Sequence, residues 1–584
     1  MAGFFLSLKE DIHIDINKVL NEFKSCGMSS YSQYNLGSYD LFLFHKMTAS
    51  TPSIFESEKG ICAAVGAYVY KGLNYKESLK QTLYDCFYDK LKLSEMYGQY
   101  TLILYVNEQI IIISDALSAK HFFSDQKFSF FSSSFFAAVA AVGATTINEK
   151  AVFEKLLTGI IVSPDTLVNE VIQINKNEQT KANNSGCKIR FIVHPEITIP
   201  PVHNSGMNDS VTYQAENISH YFEILKPALS EGRVDLGLSA GHDSSLLFAA
   251  IANEYNNIHI HTHSTGHVHD KEKNAAIAMA RIKGIDTTII PTPRLDESDI
   301  DLDKLLHENL CFFDGRTSHD IGGFSATYRA EYRLKATDEC MTTLTGVGGE
   351  CLRNHYSVRG STIRAEKFFK DKIFNRSFIE SAPVELIDTV SEFHISKAES
   401  ILKTQLRGNV NRINLRRYYS EILMADGQGN VVDAYNIVSK CIAPFLDPFV
   451  LIEAYRGINY LGNCGEYESA IICALDTEIG SCINANNGYP FDDIPLKLRM
   501  KEEIRSFVSS QTWEKLNHLK NSGLKHRNND YFFSVIKKSQ GMKDAFENLK
   551  SRYPNIDFYK AIDGYAMDAL IEYLALTVGK LTND

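Results

Sequence analysis

The chain has 584 residues, 44% of them hydrophobic and 22% charged, with a formal net charge of −11. That length exceeds what one hydrophobic core usually serves, so two or three globular domains are expected. The acidic balance argues against a broadly basic nucleic-acid-binding surface, and no apolar run reaches the roughly 18 residues needed to cross a bilayer.

From the start of the chain, Met1-Ala2-Gly3-Phe4-Phe5-Leu6 has no basic stretch ahead of its apolar patch, which predicts a soluble, cytoplasmic protein. The spacing over residues 75–91 is helical. Residues 100–114 read as a hairpin, two apolar runs separated by Asn107-Glu108, and residues 127–133 as a further short strand. Strands this apolar belong to sheets buried on both faces, as in a sandwich covered by helices. A helix is predicted over 149–157 and a polar loop over 177–186. Pro195, Pro200 and Pro201, with residues 205–210, mark a linker. The 11 cysteines are scattered without a Cys-x-x-Cys pair, so reduced, mostly buried thiols are the simplest reading.

The stretch 233–250 carries the strongest chemical signal. Val234, Leu236 and Leu238 alternate as a strand, Ser239-Ala240-Gly241-His242-Asp243-Ser244 is a loop of small residues, and an apolar helix is predicted from Ser244. A helix N-terminus presents unpaired N–H groups and a positive dipole end to a phosphate. Ser239, Ser244 and Ser245 add hydroxyl donors, and Asp243 can hold magnesium. The competing reading is an ordinary strand-to-helix turn with a Ser or Asp cap.

His259, His261 and His263 then alternate on one face of a strand, with His267 and His269 beyond. Imidazoles invite a metal reading, but this spacing lacks the local pattern of common zinc sites and no second ligand cluster is apparent, which favours a strand leading to a nucleotide-binding edge. Glu272, Ala276, Ala280 and Gly284 recur every four residues before the strand Thr287-Thr288-Ile289-Ile290, giving a parallel α/β unit. A second strand-end loop follows at Thr345-Gly346-Val347-Gly348-Gly349-Glu350. Pro444-Phe445-Leu446-Asp447 precedes another helix, which Asp447 can cap. Residues 497–584 read as helical, with an apolar close over 566–581.

Three segments, Ser239-Ala240-Gly241-His242-Asp243-Ser244-Ser245, Gly346-Val347-Gly348-Gly349-Glu350 and Pro444-Phe445-Leu446-Asp447, together resemble the asparagine synthetase family. The first is similar to its pyrophosphate loop, with Ala240 in place of a glycine. The first 140 residues resemble that family's glutaminase-type domain at Tyr97-Gly98-Gln99-Tyr100, at Ser114-Asp115-Ala116-Leu117-Ser118 with His121-Phe122-Phe123, and at Ser132-Ser133-Ser134-Phe135-Phe136. The resemblance implies an α/β architecture. An Ntn-hydrolase-like αββα sandwich would occupy residues 1–200, a parallel-sheet PP-loop domain of the adenine nucleotide α-hydrolase type residues 201–500, and a helical extension residues 501–584.

It also implies ATP and Mg2+ as cofactors, and an acid that is adenylated and then joined to an amine. Leu238, Ser239, Gly241, Asp243, Ser244, Ser245, Gly346, Gly348 and Gly349 would hold ATP. Asp243 and Glu350 would be the catalytic acids and the magnesium ligands. Several departures narrow the assignment. The family's glutaminase nucleophile is an N-terminal cysteine, whereas the nearest cysteine here is Cys26, so glutamine hydrolysis is not expected. Glu350-Cys351 replaces the family's Asp-Glu, and residues 462–492 lack its lysine, leaving Arg353, Arg359, Arg364, Lys440 and Lys497 as substitutes. Together these features resemble the branch that makes β-lactams, carbapenams and lasso peptides. The expected partner is a small-molecule or peptide carboxylate with an amine acceptor, without nucleic acid or membrane. An ammonia-dependent asparagine synthetase and a degenerate nucleotide- or partner-binding synthetase are the alternatives.

Overall fold

A computed structural model of the chain describes residues 1–9, 13–48, 53–184, 186, 188–264, 270–291, 301–316, 330–358, 360–507 and 537–561. His267, His269, Arg359 and the apolar segment 566–581 lie outside the described residues. The architecture is mixed α/β, built on two largely antiparallel sheets and one parallel sheet.

The first sheet runs Val171–Gln173, Phe123–Asp125, Phe130–Ser132, Gly3–Leu8, Tyr39–Phe44, Tyr31–Leu36. The second runs Ile189–Phe191, Gln109–Ser114, Tyr100–Val106, Gly60–Gly66, Ile54–Ser57. Because side chains alternate along a strand, each sheet feeds two layers of core. Phe4, Leu6, Leu41 and Leu43 of the first sheet meet Ala63, Val65, Ile103 and Ile112 of the second. Phe5, Phe42 and Phe44 turn outward onto Val19, Phe23 and Phe135 of the helices Ile16–Ser25 and Phe135–Val142. On the far side, Cys62, Leu102, Leu104 and Ile113 pack on Leu79 and Leu83 of the helix Tyr75–Phe87. The resulting order of layers is helix, sheet, sheet, helix.

The hairpin over 100–114 forms as its sequence predicts, with Asn107 and Glu108 both at positive φ in the turn. The helix predicted over 149–157 is Glu149–Thr158. Asn74 starts the helix Tyr75–Phe87 by accepting the Glu77 N–H at 2.9 Å. Asn74→Ala is therefore expected to cost about 1 kcal/mol, read as a lower urea midpoint with an unchanged slope.

Three local expectations are corrected. Residues 177–186 are not a loop: Lys176–Asn184 is a helix, because Asn175 accepts the N–H groups of Asn177 and Glu178 and Gln179 and Ala182 are buried. The strand expected over 127–133 is confined to Phe130–Ser132, since Phe128 adopts a positive φ. The linker ends early, where the helix Met207–Leu229 begins.

All pairs in the third sheet are parallel, in the order Thr287–Pro291, Ile258–Ser264, Val234–Gly237, Thr342–Leu344, Lys440–Ile442. Numbered along the chain this is 3-2-1-4-5, so the winding direction reverses between Val234–Gly237 and Thr342–Leu344. Open sheets of this type bind ligands in the crevice beyond the carboxyl ends of the strands at that reversal.

The antiparallel and parallel parts dock through segments that stood out in the sequence. Gln99 exchanges two hydrogen bonds with the Ala443 backbone, and Gly98 N–H donates to Asp447 at 3.0 Å. Asp447 also accepts the Phe449 N–H and so caps Pro448–Arg456. The Pro444 to Asp447 turn thus joins the two halves and starts a helix. Deeper in the interface, Asp433 receives Lys120 at 2.6 Å and Arg316 at 3.0 Å. Of the segment after residue 500, Gln540–Arg552 packs Met542, Phe546 and Leu549 into the same core as Leu302–Phe312. No helix among the described residues is long and apolar enough to cross a membrane.

Candidate active site

Both loops at the reversal point are short, and they touch. The first strand ends at Gly237, and the helix begins at His242, two residues before its expected start, so Asp243 lies in the first turn. No side chain caps that helix. Ser244 Oγ accepts the Ser239 N–H at 3.2 Å and lies 3.0 Å from Ser239 Oγ, closing the loop on itself. Ala240 sits at φ +55°, a left-handed conformation that costs a non-glycine residue roughly 1–2 kcal/mol. Its carbonyl accepts the Ala485 N–H at 2.9 Å. Leu238 and Ser245 are buried, and the Ser245 hydroxyl has no hydrogen-bond partner.

The second loop follows Thr342–Leu344 and passes into a turn at Gly349–Leu352. A Cβ on Gly346 would stand 2.9 Å from Asp243 Cβ, and one on Gly349 would overlap Asp243 Oδ1. The absence of side chains is what lets this backbone pass directly beneath the carboxylate. Gly348 has a φ of +89° and turns toward Phe445 and Leu446.

Arg353 organises the charges. Its Nη2 lies 2.8 Å from each Asp243 oxygen and 3.4 Å from Glu350 Oε1, while Nε lies 3.0 Å from Glu468 Oε2. Tyr419 Oη donates to Glu350 Oε2 at 2.6 Å. Arg416 donates to the backbone carbonyls of Glu350 and Arg353, fixing the turn. Three carboxylates therefore share one guanidinium in a largely desolvated site. Burial pushes Glu468 well above the ordinary carboxyl range even against Arg353, with Asp243 adding to the rise. Burial and the Glu350 charge push Asp243 up to about 7. Burial opposes ionisation of Glu350 too, but Arg353 and Tyr419 outweigh it and hold that carboxyl low. Glu468 is thus the group that keeps a proton.

A proton held only in the folded state stabilises it below the unfolded pKa, near 4.3 for glutamate, and that contribution is lost as pH rises. Glu468→Gln mimics the protonated form. The variant is expected to match wild type at pH 5 and to equal or exceed it by up to about 1 kcal/mol at pH 8. Urea titrations at the two pH values check this, and a variant less stable than wild type at pH 8 would refute it.

Of the basic candidates Arg353, Arg364, Lys440 and Lys497, which are among the described residues, only Arg353 is placed here. Lys440 is buried with its Nζ 4.6 Å from the centre of the Tyr75 ring and is pushed down to about 8 by burial. Arg364 is exposed and pairs with Glu366, and Lys497 lies on the helix Leu496–Phe507 beside the exposed Leu496 and Met500. Cys351 is buried and its thiol is pushed far up by burial, so it cannot take a proton at neutral pH. Cys26 is likewise buried, with its thiol 3.7 Å from Asp314 and raised by burial and that carboxylate. Sequence reasoning missed Glu468, Tyr419 and Arg416. Glu468 left one readable signal, an acid within the run Tyr467 to Leu475 that is otherwise apolar except for Ser469.

Two cavities meet at Gly346. One of about 220 Å3 lies over the strand ends and is lined by Ser239, His261, His263, Glu272, Arg333 and Thr345. The other, about 380 Å3, lies toward the antiparallel half and is lined by Gly159, Glu350, His355, Tyr356, Lys372 and Tyr419. No family model matches the chain, and no curated protein matches it.

Proposed function

We propose that this chain is an ATP-dependent, AMP-forming amide ligase or cyclase of the asparagine synthetase type, which adenylates a carboxylate and joins it to an amine. The observation that carries this reading is the meeting of the Ser239 to Ser244 loop and the Gly346 to Glu350 loop at the reversal point of the parallel sheet, where Gly349 passes under Asp243. In this reading the parallel unit is a PP-loop domain and the antiparallel half an Ntn-hydrolase-like domain that serves as a scaffold. The corresponding location is cytoplasmic.

The residues fit ATP with Mg2+. The uncapped start of the helix His242–Ile251, with Ser239, Gly241 and Ser244, offers donors to a pyrophosphate. Leu238, Ser245, Gly346, Gly348 and Gly349 shape the backbone around it. Asp243 and Glu350 are about a quarter and a third exposed, and with Glu468 holding its proton their two carboxylates, when ionised, still exceed the single charge of Arg353, which suits a cation. Bound there, Mg2+ would neutralise the charge of the departing pyrophosphate.

The cavity by Ser239 would take the nucleotide, and the one by Glu350 the acid and the amine. Arg353 holds Asp243 and Glu350 in place. Glu350, kept ionised by Arg353 and Tyr419, is the cavity-lining carboxylate able to accept the amine's proton. The Arg353 clasp on Asp243 also favours a second reading, a degenerate synthetase that binds nucleotide without turnover.

The test is formation of AMP and pyrophosphate from ATP and Mg2+ across a panel of amino acids, amine-bearing acids and peptides, and aspartate with ammonia. AMP formed with any one acid, and abolished in Asp243→Ala, supports the ligase. Nucleotide binding without AMP from any acid supports the degenerate reading.

A further inference from the structure

The face of the parallel sheet beside the Ser239 loop carries a polar cluster that adenylation does not use. Parallel pairing sets Asp235 opposite His259 and Gly237 opposite His261, which brings three polar side chains together on adjacent strands. All three are buried. Asp235 Oδ1 lies 3.0 Å from His259 Nδ1 and 2.7 Å from His261 Nδ1, and one ligating atom from each residue falls within 4.8 Å of the others. Two buried atoms here lack hydrogen-bond partners, Asp235 Oδ2 and, one pleat further on, His263 Nδ1. A buried carboxylate oxygen without a donor is costly, and a cation is one means of satisfying it.

We infer that Asp235, His259 and His261 form a binding site for a divalent transition-metal ion of the zinc class. Two imidazoles and one carboxylate favour zinc over magnesium, and three protein ligands leave the fourth position of a tetrahedron open. Zinc bonds of about 2.0–2.1 Å in a tetrahedron set donor atoms roughly 3.3 Å apart, so the pairs at 2.7 and 3.0 Å need to open by about 0.6 and about 0.3 Å. Thr288 Oγ1, 3.0 Å from His259 Nε2, holds that ring with Nδ1 toward Asp235, as outer partners of metal-bound histidines do. His261, alone of the three, lines the 220 Å3 cavity with Ser239, which gives an ion a way in. Asp243 and Glu350 contribute no ligand, so metal binding here is independent of adenylation.

The full chain, stripped with a chelator and reloaded, is expected to retain one equivalent of Zn2+ after gel filtration. Co2+ in its place should give the visible absorption of a tetrahedral nitrogen and oxygen site. His259→Ala, His261→Ala and the volume-preserving Asp235→Asn should each weaken binding by about tenfold or more with unchanged far-ultraviolet circular dichroism. His220→Ala, at an exposed helix position, should bind as wild type does. Absence of retained Zn2+ and of a Co2+ spectrum in the reloaded wild-type chain overturns the site and leaves two histidines hydrogen-bonded to an aspartate. Unchanged affinity in all three cluster variants overturns it as well. The wild-type stoichiometry and spectrum require no variant, so a variant that fails to fold leaves the test standing.

Discussion

Arg353→Met is expected to lower the unfolding free energy by about 3–5 kcal/mol at neutral pH, the range seen when one partner of a buried ion network is removed. Methionine keeps much of the aliphatic bulk, so the loss reports charge rather than volume. Arg353 is the guanidinium between Asp243, Glu350 and the fully buried Glu468. Without it, the carboxyls must hold protons to higher pH in the folded chain than in the unfolded one. The folded state then binds more protons, and stability falls with rising pH more steeply than in wild type. The deficit should therefore narrow toward pH 5 and widen toward pH 8. Urea titrations at both values measure it. A loss below about 1 kcal/mol, or one of equal size at the two pH values, would falsify the assignment of Arg353 as the shared countercharge.

Asp243→Ala is expected to reduce AMP and pyrophosphate formation by about 10³-fold or more, equivalent to roughly 4 kcal/mol of transition-state stabilisation. Asp243 is the only acid in the first turn of the helix His242–Ile251, and the backbone of Gly346 and Gly349 packs directly against it. Its removal would take away a magnesium ligand without emptying the core, because the side chain is about a quarter exposed. It would also relieve repulsion among the three acids while Arg353 keeps Glu350 and Glu468. Stability should therefore stay equal or rise slightly, which separates lost chemistry from lost folding. Quenched-flow or coupled pyrophosphate assays beside a thermal melt read the two effects. Retention of activity within tenfold of wild type would remove Asp243 from the chemistry.

Much of the fold was legible because its signals are local. The hairpin over 100–114, the helix from Glu149 and the strand-loop-helix at Val234 each declare themselves through period or turn chemistry. The helix Lys176–Asn184 did not, because its nine polar-rich residues carry little apolar periodicity and it is started by Asn175 from outside the segment. The histidine strand shows the same limit from another side. Its alternation placed His259 and His261 on one face, but Asp235 comes from a neighbouring strand 24 residues away, and no spacing rule within a strand names it.

The sequence by itself determined the two glycine- and serine-rich loops, the acids Asp243 and Glu350 within them, and an alternation of strands and helices that demands a parallel sheet. Only the tertiary structure decided what surrounds those acids. Arg353 is three residues from Glu350 and was one of five basic candidates, while Glu468 and Tyr419 lie more than 60 residues from it along the chain. Which cation neutralises which acid depends on distances of a few ångströms in a desolvated space. Those distances arise when the sheet brings the ends of strands one and four together, and no local pattern encodes them.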